Sequence, residues 1–132
     1  LLGEDFARLV FVERDEGSNT ERAMTARPEL LGDVILGRKD TPTSYHLSVV
    51  HDDALQGVTH VIRGEDLRAS THIHVLLQKL LGLPTPVYRH HALLTGPDGK
   101  RYAKRDRSLT LAALREAGVS AADIRSRIGL PV

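Results

Sequence analysis

The feature that most constrains the fold is a short apolar run between two segments with helical signals. Residues 58–62 read VTHVI, and the charged stretch RGED of residues 63–66 follows at once. The run lacks strict alternation of apolar and polar residues, which is typical of a parallel strand covered on both faces. A parallel strand with a helix before and after it in the chain predicts an α/β fold.

The two flanking segments supply the helical signals. Residues 44–57 fit a strand, because their apolar residues alternate, and also a helix, because Tyr45, Val49 and Asp52 share one helical face. We favour the helix, since the segment opens on a capping Ser and closes on a Gly. Residues 70–82 have leucines at helical spacing, a Ser at the start and a Gly at the end, and they predict the clearest helix.

The remaining elements follow from the same kinds of signal. Polar residues 15–27 predict a loop, and the apolar run 32–40 predicts a buried strand. The other predicted elements are strands at 5–14 and 87–101, the latter turning at GPDG, and helices at 108–118 and 120–129. The order predicts one α/β layer over residues 1–107 and a small helical appendage over residues 108–132.

Composition excludes several classes of protein. The 132 residues are 41% hydrophobic, enough for one core, and 18 basic against 17 acidic side chains leave no bulk attraction to nucleic acid. Without cysteine there is neither a disulfide framework nor a thiolate metal site. No apolar run approaches the ~18 residues of a membrane span, so we expect a soluble chain with no membrane partner. Because the chain enters apolar sequence without Met, we expect it to be a piece of something longer.

The charge cluster after residues 58–62 has two interpretations. At the carboxyl end of a parallel strand, where open sheets bind ligands, Arg63 offers a planar fork of donors for a carboxylate or phosphate. Glu65 and Asp66 offer acceptors for an ammonium group or a ribose hydroxyl. Alternatively, the four residues only end the strand and start the next helix.

A second cluster, GKRYAKRDR at residues 99–107, carries five cations against one acid. Preorganised cations on a loop stabilise a polyphosphate best when its charge grows during bond breakage. An ordinary solvated loop is the alternative.

The seven histidines do not predict a metal site. His72 and His74 are two residues apart on a helix, and His90 and His91 are adjacent on a strand, so each pair points in different directions. None of the histidines forms the i, i+4 pair of a helical zinc site.

Together, SYHLSVVHDDALQGVTHVIRGEDL, the helix STHIHVLLQKLLGLP and the loop DGKRYAKRD resemble the second half of the catalytic domain of class I glutamyl-tRNA synthetases. The resemblance runs from about Thr25 to the end of the chain. Within that family the sequence is most similar to the truncated glutamyl-Q tRNA(Asp) synthetase branch, because Val49 stands where discriminating synthetases commonly carry Asn. It implies the second half of a Rossmann-like catalytic domain.

The resemblance also implies an activity. Members of this branch activate glutamate with ATP, accompanied by Mg²⁺, to give glutamyl-adenylate and pyrophosphate. They then transfer glutamate to the queuosine base of tRNA(Asp) in the cytoplasm. By position, Tyr45 and Arg63 would contact glutamate, with Arg63 on its side-chain carboxylate and Asp52 facing the same pocket.

The nucleotide-binding roles carry over in the same way. Asp66 and Leu67 fall where the family contacts the ribose and adenine of ATP. The loop 101–104 falls on the family's Lys-Met-Ser-Lys signature, whose lysines steady pyrophosphate; here Arg101 replaces the first lysine, Ala103 replaces the serine, and Lys104 is retained.

The ATP-binding His-Ile-Gly-His motif belongs to the first half of the family's fold and is absent here; HIHV at residues 72–75 lies within a predicted helix and lacks the glycine. We therefore expect a missing N-terminal half as a partner, no zinc site in this chain, and no complete reaction by the fragment alone. A fragment of an ordinary glutamyl-tRNA synthetase and a non-catalytic nucleotide- or tRNA-binding remnant are the alternatives.

Overall fold

The structure is a computed structural model, and it describes residues 8–96, residue 99 and residues 110–131. The strands are β1 (Val10–Arg14), β2 (Glu21–Thr25), β3 (His60–Gly64) and β4 (Val87–His91). The helices are α1 (Tyr45–Leu55), α2 (Arg68–Leu81), α3 (Leu111–Glu116) and α4 (Ala121–Arg127). Short 3-10 helices cover Pro28–Leu31 and Glu65–Leu67.

The four strands form one mixed sheet in the order β2-β1-β4-β3. β1 pairs with β2 as an antiparallel hairpin and with β4 in parallel. β3 runs parallel to β4 in a register that places Arg63 opposite His90. The β3–α2–β4 connection is therefore the crossover unit that the flanking helical signals predict, and the α/β class is confirmed.

Helix α2 joins two small apolar cores. On its sheet-facing side Val75 packs with four buried residues, namely Leu9, Phe11, Ala26 and Tyr88. On the side facing α1, Ile73 and Leu77 pack with Val50. The helix ends at Gly82, whose φ of 66° is the left-handed conformation that glycine adopts without strain.

The helix predictions at 44–57 and 70–82 are confirmed, with one difference. Ser44 caps α1, its hydroxyl accepting the Leu47 backbone N–H. α2 begins at Arg68 rather than after Ser70, because the 3-10 turn Glu65–Leu67 leads directly into it without a side-chain cap.

Two predictions about strands are wrong. Residues 21–25 are strand β2 rather than loop; every residue of β2 is exposed, so backbone pairing holds it and no apolar pattern marks it. Residues 32–40 contain no strand, because their backbone turns on itself: the Arg38 N–H donates to the Thr41 carbonyl. Ile35 in this segment is 58% exposed and not buried as predicted.

The expectation that β3 is covered on both faces is also wrong for the described residues. β3 is an edge strand, and its outward-facing Ile62 is 66% exposed. The crossover through α2 covers only the opposite face, where Arg63 lies.

The chain divides into two compact units after Ala92. In the second unit, Thr110 caps α3, and Ser120 and Asp123 form a reciprocal capping box on α4. The predicted domain boundary between residues 107 and 108 lies outside the described residues and stays a prediction. None of the helices in the described ranges has the length and apolarity that crossing a bilayer requires.

Truncating Leu77 should destabilise the first unit far more than truncating Leu80 on the same helix. Leu77 is 6% exposed and Leu80 is 51% exposed. We expect Leu77→Ala to lower the free energy of unfolding by roughly 2–5 kcal/mol, because it leaves a cavity beside Ile73. Leu80→Ala is the matched control. Urea unfolding followed by far-UV circular dichroism measures both, and equal losses would contradict this placement of the core.

Candidate functional site

Arg63 lies inside the molecule, at the carboxyl end of β3. Its side chain points to the face of the sheet that α2 covers, and the residue is only 9% exposed. It is therefore a buried cation, a state that costs free energy unless the charge is hydrogen-bonded or paired.

Three neutral side chains bind the Arg63 guanidinium. Nε donates to His90 Nε2 at 3.3 Å, and one terminal nitrogen bonds to His74 Nδ1 at 3.1 Å. The other terminal nitrogen donates to the Thr71 hydroxyl at 2.6 Å. The Tyr88 ring lies 5.3 Å from the guanidinium carbon and adds a cation–π contact.

The guanidinium has no carboxylate within ion-pair distance among the described residues. A guanidinium has five N–H donors, and the contacts above engage three of them, which leaves one N–H on each terminal nitrogen for a further acceptor. A carboxylate has two acceptor oxygens and can bind two N–H donors of one guanidinium in bidentate fashion.

His74 is neutral in this arrangement. An arginine can only donate, so His74 Nδ1 accepts and the ring proton lies on Nε2, 3.1 Å from His46 Nδ1. Burial, helped by the charge of Arg63, lowers the pKa of His74 to about 3. The residue is 1% exposed.

His90 is held in the opposite tautomer. Its Nε2 accepts from Arg63, so its proton lies on Nδ1 and is donated to Glu13 Oε1 at 2.7 Å. Burial lowers the pKa of His90, and the bond to Glu13 opposes that effect. Glu13 is itself 9% exposed and pairs with Arg68 at 3.1 Å.

Tyr45, the second predicted glutamate contact, comes close to the same cluster. Its ring lies 5.7 Å from the His74 ring, and the residue is 51% exposed. Tyr45 and Arg63 therefore both contact His74, one from α1 and one from β3. Asp52 does not join them: its carboxylate bonds to neighbouring His51 and its side chain is 60% exposed.

Asp53, one position later, is the acidic residue of α1 whose pKa the charge of Arg63 affects. Burial raises the pKa of the Asp53 carboxyl, and the positive charge of Arg63 opposes the rise. Sequence periodicity favours Asp52, because at about 100° per residue the seventh position after Tyr45 lies about 20° from it on the helix and the eighth, Asp53, about 80°. The effect of Arg63 on Asp53 is therefore not visible in the periodicity.

The predicted nucleotide contacts lie partly within the described residues. Asp66 and Leu67 belong to the 3-10 turn that leaves the carboxyl end of β3, next to Arg63 in the chain. This is the edge where open α/β sheets bind ligands. The predicted pyrophosphate residues Arg101 and Lys104 lie outside the described residues, so their roles stay predictions.

Sequence reasoning missed the residues that surround Arg63. The sequence predicts only a helical position for Thr71 and His74 and only a strand position for Glu13. The spacing of Thr71 and His74 weakly indicates a shared role, since residues three apart lie on the same face of a helix. Among the described residues there is no group of three or more His, Asp or Glu side chains arranged to hold a metal ion.

Comparison with known proteins identifies the class. Residues 19–130 match the family described as tRNA synthetases class I (E and Q), catalytic domain. The match covers most of the chain, so the chain belongs to this family.

Its curated relatives include the glutamyl-Q tRNA(Asp) synthetase of Rhodobacter capsulatus, 60% identical over 79% of this chain and 39% of the relative. The protein of the same name from Geobacter sulfurreducens is 51% identical over 67% of this chain and 28% of that relative. The chain thus spans well under half the length of these proteins.

A solved structure gives the same fold assignment. The glutamate tRNA ligase of Elizabethkingia meningosepticum, crystallised in complex with its amino acid, matches with a TM-score of 0.56 and 32% identity. The match covers 74% of this chain and 19% of that one. The predicted family, and with it the assignment to part of a class I synthetase catalytic domain, is confirmed.

The neutral state of His74 should make the folded chain sensitive to acid. Unfolding returns the His74 pKa from about 3 to its ordinary value of 6.5. Between these two pH values the unfolded state therefore binds a proton on His74 that the folded state does not bind. His74 therefore contributes stability that is fully present above pH 6.5 and is lost as the pH falls towards 3.

Urea unfolding between pH 7.5 and 4.5 tests this. We expect the free energy of unfolding of His74→Gln to fall less steeply with decreasing pH than that of the wild type, by up to about 1.4 kcal/mol per pH unit. The control is His60→Gln, since exposed His60 meets water in both states. Parallel curves for wild type and His74→Gln would show that His74 is not a buried neutral ring.

Proposed function

We propose that this chain is the C-terminal part of the catalytic domain of a ligase that activates glutamate with ATP and transfers it to the queuosine base of tRNA(Asp). One observation carries the proposal: Arg63 is a buried cation with neutral partners and two uncommitted N–H donors. Such a site favours an anionic ligand with two acceptor oxygens, and a carboxylate has that geometry.

The side-chain carboxylate of glutamate would bind Arg63, and Tyr45 would contact the amino acid from α1. The substrate's α-carboxylate would then attack the α-phosphorus of ATP; a bond forms between them while the bond to pyrophosphate breaks. Asp66 and Leu67 would contact the ribose and adenine. Arg101 and Lys104 would stabilise the negative charge that grows on the departing pyrophosphate, with Mg²⁺ accompanying ATP.

The remaining parts of the site would come from an N-terminal half. The chain spans 39% of its Rhodobacter capsulatus relative, so a longer polypeptide would supply the rest of the nucleotide pocket. The proposed reaction uses ATP, glutamate and tRNA, which are cytoplasmic, and we propose the cytoplasm as its location. We also propose residues 1–107 as the catalytic part and 108–132 as a helical appendage.

An ordinary glutamate–tRNA ligase is the second candidate, because the solved relatives are named a glutamate tRNA ligase and a glutamate-tRNA synthetase. The curated relatives favour the queuosine reaction, since proteins named glutamyl-Q tRNA(Asp) synthetase reach 60% identity against 32% for the solved ligases. Glutamylation of queuosine-containing tRNA(Asp) and of tRNA(Glu), measured side by side, distinguishes the two.

Removing the guanidinium of Arg63 should abolish glutamate activation. In the full-length polypeptide that carries this segment, we expect Arg63→Ala to reduce glutamate-dependent ATP–pyrophosphate exchange at least 100-fold, because the substrate carboxylate loses its charged bidentate partner. Arg115→Ala, an exposed residue of α3, is the control. No exchange by a folded, full-length wild type would overturn the proposal and favour a non-catalytic binding module.

A further inference from the structure

We infer that Thr71, His74 and His90 act as positioning residues that fix the plane of the Arg63 guanidinium, and that Glu13 sets the tautomer of His90 from its other side. The inference concerns how Arg63 is held; its consequence for glutamate rests on the proposed function. None of these four residues would need to touch the substrate.

The geometry fixes the guanidinium at three points. Each nitrogen of Arg63 bonds to a different side chain, two from α2 and one from β4. The three partners are almost inaccessible to water, at 0% exposure for Thr71, 1% for His74 and 4% for His90. A planar fork held at all three nitrogens cannot rotate without breaking at least one hydrogen bond.

The three partners of Arg63 are also electrically neutral. A carboxylate in place of any of them would pair with Arg63 and compete with an incoming anion, whereas neutral acceptors orient the cation and leave its charge available. Thr71 joins two of the contacts, because its hydroxyl accepts from Arg63 and lies 3.1 Å from His90 Nε2.

Glu13 completes the arrangement without touching Arg63. A carboxylate can only accept, so its bond at 2.7 Å requires the His90 proton to lie on Nδ1 and keeps Nε2 open as an acceptor. Arg68 balances the charge of Glu13 at 3.1 Å. The titratable and charged groups around His90 are thus Glu13 from β1, Arg63 from β3, Arg68 from α2 and Tyr88 from its own strand, the last with its ring stacked at 6.3 Å.

Around His74 the corresponding groups are Arg63 from β3 and His46 and Tyr45 from α1. The donor order therefore runs in two directions from Arg63, through His90 to Glu13 and through His74 to His46. Both directions start from the same cation, so a change at either end alters how Arg63 is held.

The first measurement needs no ligand and uses the 132-residue chain itself. Nitrogen-15 spectra at pH 7.5 report the histidine tautomers, and the Arg63 Nε–H signal reports how firmly the guanidinium is held. We expect the proton on Nδ1 of His90, the proton on Nε2 of His74, and slow solvent exchange of Arg63 Nε–H. A charged His74, or a His90 proton on Nε2, overturns the inference.

Two substitutions test the individual contacts. Glu13→Gln should raise the fraction of His90 that carries its proton on Nε2, since an amide can donate to Nδ1 as well as accept from it, while Arg63 still donates to Nε2. Thr71→Val removes the hydroxyl at nearly constant volume and should speed exchange of Arg63 Nε–H about tenfold or more, whereas Thr71→Ser should restore the wild-type rate. Glu29→Gln, an exposed acid, is the control for the first. Unchanged tautomers in Glu13→Gln, or unchanged exchange in Thr71→Val, overturns the corresponding role.

A kinetic measurement separates this inference from the proposed function. In the full-length protein, Thr71→Val should raise the KM for glutamate about tenfold or more while kcat changes less, and Thr71→Ser should restore it. If Thr71→Val has normal ATP–pyrophosphate exchange and an unchanged KM for glutamate, the positioning role is refuted and the proposed function is unaffected. A full-length protein could instead show the inferred tautomers and a protected Nε–H but no ATP–pyrophosphate exchange. That result would refute the proposed function and support the inferred hydrogen bonds to Arg63.

Discussion

The first unit is organised around one buried positive charge. Arg63 occupies a place where a strand would ordinarily carry an apolar side chain facing the core, and the surrounding elements supply neutral acceptors for it. β4 brings His90 into register opposite Arg63, and α2 brings Thr71 and His74 over it. Most of the buried polar side chains therefore contact this guanidinium directly or, for Glu13, through His90, whereas Gln78 bonds to Tyr88. An unsatisfied buried cation is among the most costly features a fold can contain.

Much of the fold was predictable because its signals are local. Ser44 and Gly82 mark helix ends by their own backbone preferences, and the run at residues 58–62 marks a strand by its apolar content. β2 escaped prediction because it is held by pairing with β1 alone, and all of its residues are exposed. Residues 32–40 are the opposite case. Their apolar run predicts a strand, but without a partner strand the segment is irregular.

The site was predictable to a different extent. Arg63 and Tyr45 were found because their motif resembles that of a known family, and the structure brings both to the same histidine, although their contact with glutamate stays a proposal. Glu13 and His90 are 77 residues apart, so no periodicity relates them. Only the pairing of β1 with β4 brings them together, and a contact set by sheet register is not visible in either segment alone.

Helix α2 both packs into the apolar cores and binds the Arg63 guanidinium. Leu77 and Val75 anchor it in the two apolar cores, while Thr71 and His74 on the same rigid body hold Arg63. Any ligand that binds Arg63 therefore stabilises the helix against unfolding, and any repacking beneath the helix displaces the acceptors above it. Under the proposed function, the affinity for the ligand would therefore depend on the packing of the cores, and homologues should exchange core residues in compensating sets that preserve the height of α2 over the sheet.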